Sequence, residues 1–267
     1  MIRAVLFDLG GTLHLCTTDE ERKRWFAQRV LQRMAEYGIP LDLSPEALSL
    51  QLQRNAERYK RDVEATLREL PPEVVWNDYY LREQHLGRET LSVMAEELSF
   101  LYDYERVCNL RRPHLIATLR ELRDMGIRMG LISNILSRTV VPHFVAEYGL
   151  TEYFDCVLTS AGTGIRKPDP AIFRLAEERM RLLPRETAYV GDTLSRDVRG
   201  VRNAGWRLAI QIYSPGAARR DAGMAELGLK ADYNITDLSE IPEILRKCAY
   251  GGSEPDFALV LPDESLR

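Results

Sequence analysis

The feature that most constrains the fold is a series of short apolar segments that alternate with helical patterns along the chain. Uninterrupted apolar runs of this length are typical of strands buried on both faces. Strands that alternate with helices indicate a parallel sheet covered by helices on both sides. The predicted strands are 2–8, 127–133, 155–159, 187–191 and 207–212, and the predicted helices are 113–125, 135–148, 170–182 and 194–204.

Residues 14 to about 105 interrupt this alternation, because they show helical patterns and no convincing strand. We therefore predict an α/β fold with a three-layer, Rossmann-like parallel sheet and an inserted all-helical cap. Prolines divide the insert into predicted helices 19–37, 45–69 and 73–103. We expect the two links around 10–18 and 104–112 to act as a hinge. The predicted units are 1–13 with 106–248 as the core, 14–105 as the cap, and 249–267 as a tail without an assigned fold.

Composition excludes several classes of protein. The 267 residues, 45% of them hydrophobic, suffice to bury a core. A net charge of −4 lacks the basic excess that nucleic-acid binding requires. No segment reaches the roughly 18 apolar residues of a membrane span, and Met1 leads directly into an apolar strand without a leader pattern. Four widely spaced cysteines fit reduced thiols, so we expect a soluble, cytoplasmic protein.

Polar residues follow the predicted strands at the edge where an open parallel sheet binds ligands. Two carboxylates such as Asp8 and Asp192 repel each other there unless a cation lies between them. Carboxylate oxygens suit Mg²⁺, which binds through one or two carboxylates together with a substrate phosphate. The residues at these ends are Asp8, then Ser133 with Asn134, Lys167 in TGIRKPDP, and Asp192 with Asp197 in GDTLSRD.

Each of these features alone has a plainer interpretation. Aspartate beside glycine is usually a turn residue, and Asp169 followed by Pro170 is typical of a helix N-cap. Lys167 alone would be a surface residue. What favours a shared site is the position of the set at successive strand ends, and the sequence therefore predicts a site for a phosphoryl group.

The segments LFDLGGTL, LISN, GIRKPDP and VGDTLSRD together resemble the motifs of the haloacid dehalogenase-like superfamily, whose members are mostly phosphatases. The resemblance is to the subclass with a helical cap after the first motif. It implies a small phosphomonoester substrate and Mg²⁺ as cofactor. It also implies the following roles: Asp8 forms an aspartyl-phosphate, Ser133 binds phosphoryl oxygens, Asn134 orients the substrate, Lys167 offsets charge, Asp192 ligates Mg²⁺ and Asp197 supports it.

One position departs from the family pattern. Phosphatases of the family usually carry a second aspartate two residues after the nucleophile, where this sequence has Gly10. Gly10 keeps the backbone carbonyl that helps to hold the metal in the family, but it lacks the acid that protonates the leaving oxygen. Loss of a general acid typically costs about 10²–10⁴ in rate.

Gly10 leaves three outcomes open, and a different reaction is a fourth alternative. Activity is restricted to esters with good leaving groups, or His14 replaces the acid, since its ordinary pKa lies in the useful range. A third is a protein that binds Mg²⁺ and a phosphorylated ligand or a partner protein but turns over little. The fourth is a dehalogenase, in which Asp8 attacks carbon, although Asp192 and Asp197 would repel a haloacid carboxylate.

The insert is expected to cover the crevice and to contact the part of the substrate that leaves. Acidic residues outnumber basic ones in the insert, which argues against a second highly anionic group on the substrate. Aromatic residues at helical spacing either line a pocket or fill the core of the insert. These residues are Trp25, Trp76, Tyr79 and Tyr80.

Overall fold

The computed structural model describes residues 1–224 and 228–250 of the chain. Its main sheet contains six parallel strands in the order β5-β4-β1-β6-β7-β8. The α/β fold is confirmed, and all five predicted strands are present, most of them one or a few residues shorter than predicted. The strands are β1 (Ala4–Phe7), β2 (His14–Thr17), β3 (Cys108–Arg111), β4 (Arg128–Ser133), β5 (Cys156–Thr159), β6 (Thr187–Gly191), β7 (Leu208–Ile212) and β8 (Tyr233–Ile235).

Three of these strands were not predicted. β8 is an edge strand of three residues, too short to produce an apolar run. β2 and β3 form an antiparallel ribbon that joins the two links to the insert, with His14 opposite Arg111. The expectation of no strand between 14 and 105 is wrong at β2. The division at 13/14 and 105/106, which would place one ribbon strand in each unit, stays a prediction, as does the hinge.

The insert consists of helices that pack around their own apolar core. The first helix begins after Asp19, whose side chain accepts from the Arg22 backbone N–H. The second ends at Thr66, because Leu67 adopts a left-handed conformation with φ 55°. The predicted helix 73–103 is broken, with φ of 50° at His85 and 87° at Gly87. The helices are α1 (Glu20–Glu36), α2 (Pro45–Thr66), α3 (Pro72–Val74), a π-helical turn (Val75–Tyr80), a 3₁₀ turn (Arg82–Gln84), α4 (Arg88–Ser92) and α5 (Ala95–Tyr104).

The core helices cover both faces of the sheet. Asp169 caps a helix that begins at Pro170, as predicted, by accepting from Ala171 N–H. The predicted helix 135–148 begins only at Val140. The helices are α6 (Leu115–Asp124), α7 (Val140–Glu147), α8 (Ser160–Thr163), α9 (Pro170–Met180), a 3₁₀ turn (Pro184–Glu186), a π-helical turn (Leu194–Val198), α10 (Arg199–Ala204), α11 (Pro215–Arg220), a 3₁₀ turn (Leu238–Glu240) and α12 (Ile241–Tyr250).

Alternate residues of β1 enter the two apolar layers of the core. Val5 and Phe7 pack on the side of α6 and α7. Ala4 and Leu6 pack on the other side, with α9. A strand buried on both faces must be apolar at every position, and this is why the short apolar runs revealed the sheet.

Three sequence expectations concern the rest of the chain. The proposed tail 249–267 lies outside the described residues from 251 onward, and its first two residues belong to α12. The four cysteines, all within the described part of the chain, are free thiols. No helix among residues 1–224 and 228–250 combines the length and apolar character needed to cross a membrane.

Candidate active site

Three carboxylates meet at the carboxyl edge of the sheet. Asp8 follows β1 and Asp192 follows β6, and these strands are hydrogen-bonded neighbours. Asp197 returns to the same point from the turn after β6. One oxygen from each carboxylate lies within 4.8 Å of the others, and all three residues are buried.

Lys167 is the cation of this cluster. Its buried Nζ donates to Asp8 Oδ1 at 2.8 Å and to Asp197 Oδ1 at 2.7 Å. It also contacts the carbonyl oxygen of Ile132 at 2.8 Å and the hydroxyl of Tyr189 at 2.7 Å. Burial opposes the charge, but the two carboxylates raise the pKa of Lys167 above its usual value. The ammonium group therefore stays charged.

One ammonium group does not neutralise three carboxylates. Burial raises the pKa of Asp8 despite Lys167. Burial, with the charges of Asp8 and Asp197, raises the pKa of Asp192 to about 7. Burial also opposes ionisation of Asp197, but Lys167 and Thr193 hold its pKa below the usual value. This excess of hard oxygen donors over positive charge fits a divalent cation such as Mg²⁺.

A wide helical turn brings Asp197 back to the cluster. The predicted helix 194–204 begins as a π-helical turn, in which Val198 N–H donates to Thr193 O at 3.2 Å. Asp197 Oδ2 accepts from the backbone N–H and the hydroxyl of Thr193, at 3.0 and 2.7 Å. Because Thr193 holds one carboxylate oxygen, the other oxygen faces Lys167. Single π turns of this kind are frequent at functional sites.

The structure brings Ser133 and Asn134 to the same cavity, but with different contacts. Ser133 ends β4 and is buried. Asn134 Nδ2 donates to Lys167 O, and Lys167 N–H donates to Asn134 Oδ1, both at 2.9 Å. Both ends of the Asn134 amide thus fix the loop that carries Lys167.

The two glycines after Asp8 differ sharply. Gly11 has φ +87°, and a Cβ there would lie 2.0 Å from Asp192 Oδ2, so only glycine fits. Gly10 has no such constraint, because its Cβ would meet Cys16 Sγ at 3.6 Å and His14 Nε2 at 4.0 Å. The position of the missing aspartate therefore has room for a Cβ at ordinary van der Waals distance.

His14 borders this space but lacks the expected acidity. Its Nδ1 lies 3.1 Å from the Tyr148 hydroxyl, and its ring packs on Phe144 with a centroid separation of 4.5 Å. Burial lowers the pKa of His14 to about 4. The imidazole is neutral near pH 7, which does not suit a residue meant to supply a proton.

Sequence reasoning missed several residues that contact the carboxylates or the loops that carry them. Ser214 donates to Asp192 Oδ2 at 2.8 Å, and its place after β7 in the segment SPG was an available signal. Asp221 accepts from the Leu194 backbone at 2.5 Å, and so anchors the start of the π turn. Arg112 donates to Gly11 O at 2.7 Å. Long-range contacts of this kind leave no local pattern.

A cavity of about 510 Å³ extends from the carboxylates to the ribbon and the end of α5. The insert and its links contribute Cys16, Asp103 and Arg106 to its wall. The four aromatic residues named from the sequence do not line it within the described part of the chain. Trp76 and Tyr80 fill the core of the insert, as the plainer interpretation held.

Comparisons with known proteins agree with this architecture. The family model of the haloacid dehalogenase-like hydrolases matches residues 2–205. The chain is 31% identical over 252 residues to a glyceraldehyde 3-phosphate phosphatase of Methanopyrus kandleri, a match that covers 93% of this chain and 99% of the relative.

Two solved structures share the fold. A phosphatase of the same superfamily from Thermococcus onnurineus has a TM-score of 0.58 and 26% identity, covering 95% of this chain and 100% of that chain. A 2-haloacid dehalogenase from Pseudomonas syringae has a TM-score of 0.60 and 25% identity, covering 93% and 100%. With the match of the family model over most of the sequence, these likenesses establish that this chain belongs to the haloacid dehalogenase-like hydrolases.

Proposed function

We propose that this hydrolase is a Mg²⁺-dependent phosphatase that cleaves a small phosphomonoester through an aspartyl-phosphate on Asp8. The observation that carries the proposal is the meeting of three buried carboxylates and one ammonium group at the sheet edge. The relative from M. kandleri, named as a phosphatase of a three-carbon phosphate ester, supports the reaction class.

The chemistry needs few groups. The carboxylate of Asp8 attacks phosphorus, and the bond between phosphorus and the ester oxygen breaks, releasing the alcohol after it gains a proton. Water then attacks phosphorus of the aspartyl-phosphate, which releases inorganic phosphate and restores Asp8. Lys167 balances charge at Asp8, and Ser133 donates a hydrogen bond to a phosphoryl oxygen.

The metal would be held by Asp8 and Asp192, by the Gly10 carbonyl, and by Asp197 directly or through water. When bound, Mg²⁺ neutralises charge on the phosphoryl oxygens. Ser214 fixes the orientation of Asp192 for this task, since it holds Oδ2.

Gly10 sets the scope of the reaction. No carboxyl group stands beside the leaving oxygen at this position, and the neighbouring His14 is neutral. We therefore expect acyl, aryl and anomeric phosphates, whose leaving groups need little protonation, to react faster than alkyl phosphates. The same observation favours the second candidate, a protein that binds Mg²⁺ and a phosphorylated ligand but turns over little.

A dehalogenase remains the lesser alternative. The likeness to the Pseudomonas enzyme does not separate the two reactions, because the fold supports both. The negative charge of the site favours the phosphatase over the dehalogenase. Asp192 and Asp197 have carboxylate oxygens within 4.8 Å of one on Asp8, and they would repel a haloacid carboxylate.

The test is phosphate release from 4-nitrophenyl phosphate in Mg²⁺, with Asp8→Asn as the variant and Asp124→Asn, an exposed residue at the end of α6, as the control. We expect Asp8→Asn to lose at least about 10³-fold in rate and the control to match the parent. Acid quenching with phosphorus-labelled substrate should leave label on the parent protein and none on Asp8→Asn. Equal rates of phosphate release by Asp8→Asn and Asp124→Asn, or no phosphate release by the parent protein, would refute the phosphatase function.

A further inference from the structure

The cavity wall carries positive charge that the proposed phosphoryl site does not use. Lys167 is bonded to two carboxylates, and Arg196 is paired with Glu64 at 2.6 Å. Arg219 and Arg220, at the end of α11, are exposed. Among the described residues that line the cavity, the cation left is Arg106, which is half-buried in the link between α5 and β3.

Arg106 is held in place by its backbone and by an aromatic ring. Its backbone is fixed by Leu101 O and by the Thr18 hydroxyl, and its guanidinium lies over the Tyr102 ring at 4.1 Å from the centroid. Its Nε is buried, and no residue in the described part of the chain forms a hydrogen bond or ion pair with the guanidinium. Stacking on an aromatic face leaves the N–H edge of arginine available to an oxyanion.

The charge of Asp103 acts on Arg106, but no hydrogen bond or ion pair joins the two residues. Asp103 lines the same wall, but its Oδ2 accepts from the backbone N–H groups of Leu136 and Ser137, at 2.9 and 2.8 Å. Its role is to join α5 to the loop after β4. A ligand in the cavity is therefore the available source of an oxyanion for Arg106.

The space beside Gly10 belongs to the cavity that Arg106 and the proposed nucleophile Asp8 also line. Cys16 borders that space, with Sγ 3.6 Å from the Cβ position, and is close enough to both Asp8 and Arg106 for their charges to act on its thiol. A group that leaves from phosphorus at Asp8 enters the cavity whose wall carries the Arg106 guanidinium.

We infer that Arg106 binds a second anionic group, on the part of the substrate that leaves with the ester oxygen. The inference rests on the proposed phosphatase function and adds the substrate class: small phosphomonoesters that carry a carboxylate or a second phosphate a few bonds from the ester. It contradicts the expectation drawn from the acidic composition of the insert, because a ligand responds to the nearest charges more than to the sum over a domain.

The experiment compares substrates with one carbon skeleton. Glycerol 3-phosphate is neutral at its far end, 3-phosphoglycerate carries a carboxylate there, and glycerol 1,3-bisphosphate a second phosphate. In Mg²⁺ we expect kcat/KM of the parent to be at least about tenfold higher for one of the two acids than for the neutral ester. Whichever acid is preferred identifies the source of the oxyanion.

In Arg106→Gln the preference for the acid should fall at least about tenfold, mainly through KM. Arg106→Lys keeps the charge without the planar fork and should lose less. Arg111→Gln is the matched control, since Arg111, at the end of β3, also lies over an aromatic ring, that of Tyr148, but is outside the cavity wall. Thermal melts of each variant show whether it is folded.

A parent without preference for either acid, or equal preference in the parent and folded Arg106→Gln, overturns the inference while leaving the phosphatase intact. If no ester is hydrolysed, the phosphatase itself fails. Calorimetry of Asp8→Asn with 3-phosphoglycerate and glycerol 1,3-bisphosphate against glycerol 3-phosphate then decides the inference. Tighter binding of one acid that disappears in Asp8→Asn/Arg106→Gln supports it, and equal affinities overturn it.

Discussion

Gly10 and Gly11 are adjacent, yet each is glycine for a different reason. A side chain at Gly11 would collide with Asp192, and the left-handed backbone excludes most other residues. At Gly10 the backbone is ordinary and the nearest atoms are at contact distance. The glycine at position 10 is therefore a chemical departure and not a steric requirement, and this makes it open to experiment.

We expect Gly10→Asp to raise turnover of alkyl phosphates by about ten- to a hundredfold, and of aryl phosphates much less, because a carboxylic acid there protonates the leaving oxygen. The measurement is kcat for glycerol 3-phosphate and for 4-nitrophenyl phosphate in Mg²⁺. Gly10→Ala, which fills the space without an acid, is the control. An equal gain on both substrates, or the same gain in Gly10→Ala, would contradict this account.

Sequence reasoning predicted which candidate residues lie together, but not the groups that surround them. Asp8, Lys167 and Asp192 could be predicted because strand ends meet at one edge of a parallel sheet. The partners of these residues could not be predicted. His14 was expected to have a useful pKa, and its burial against Phe144 follows from packing between elements far apart in the sequence.

Between elements, the insert contacts the core through polar groups that sequence patterns did not reveal. The backbone N–H groups of residues 135–139 all donate to side chains: Ile135 to Ser160, the next two to Asp103, and the last two to Glu96. Because these acceptors fix the segment as a loop, α7 starts five residues later than its apolar pattern predicts.

This junction predicts a dependence of stability on pH. Burial raises the pKa of Asp103 to about 7, although the N–H groups of Leu136 and Ser137 oppose the shift. The folded state therefore holds this proton more tightly than the unfolded state. The stabilisation from Asp103 is greatest below its unfolded pKa and is lost as pH rises through about 7.

Asp103→Asn, which keeps an oxygen acceptor without the charge, should gain on the order of 2 kcal/mol relative to the parent between about pH 4 and about pH 8. Urea unfolding of both proteins at the two pH values gives this difference. The exposed Asp124→Asn serves as the control. A constant difference across the range would show that Asp103 has the same pKa in the folded and unfolded states.

At the scale of the whole molecule, the proposed metal site predicts that metal changes the stability of the fold. Without a cation, three buried acids share one ammonium group, and folding must overcome their repulsion. An ion bound only by the folded state stabilises it by mass action.

We expect the melting temperature to rise by roughly 5 °C when free Mg²⁺ is about a hundred times its Kd. Asp192→Asn removes one ligand and one repelling charge, so it should melt higher than the parent without metal and respond little to Mg²⁺. Differential scanning calorimetry at several Mg²⁺ concentrations measures both effects. A full response in Asp192→Asn would remove this residue from the metal site.

At this scale, too, only part of the structure could be predicted from the sequence. The alternating segments predicted the sheet and the position of the insert, because a strand buried on both faces must be apolar at every residue. The short edge strand β8, the ribbon of β2 and β3, and the breaks in the predicted helix 73–103 depend on contacts or backbone conformations that no local period encodes. The residues of the cavity wall, including Arg106, could not be predicted for the same reason.

The contacts that follow the end of α2 bear on any movement of the insert relative to the core. After Leu67 the chain turns to the core, where Glu69 pairs with the buried Arg166 and accepts from the Ser160 hydroxyl at 2.5 Å. Arg166 directly precedes Lys167. If the insert swings away about the ribbon, water would reach this ion pair, and the segment that positions the Lys167 ammonium group would lose its anchor. Opening for substrate and separation of Lys167 from the carboxylates would then occur together.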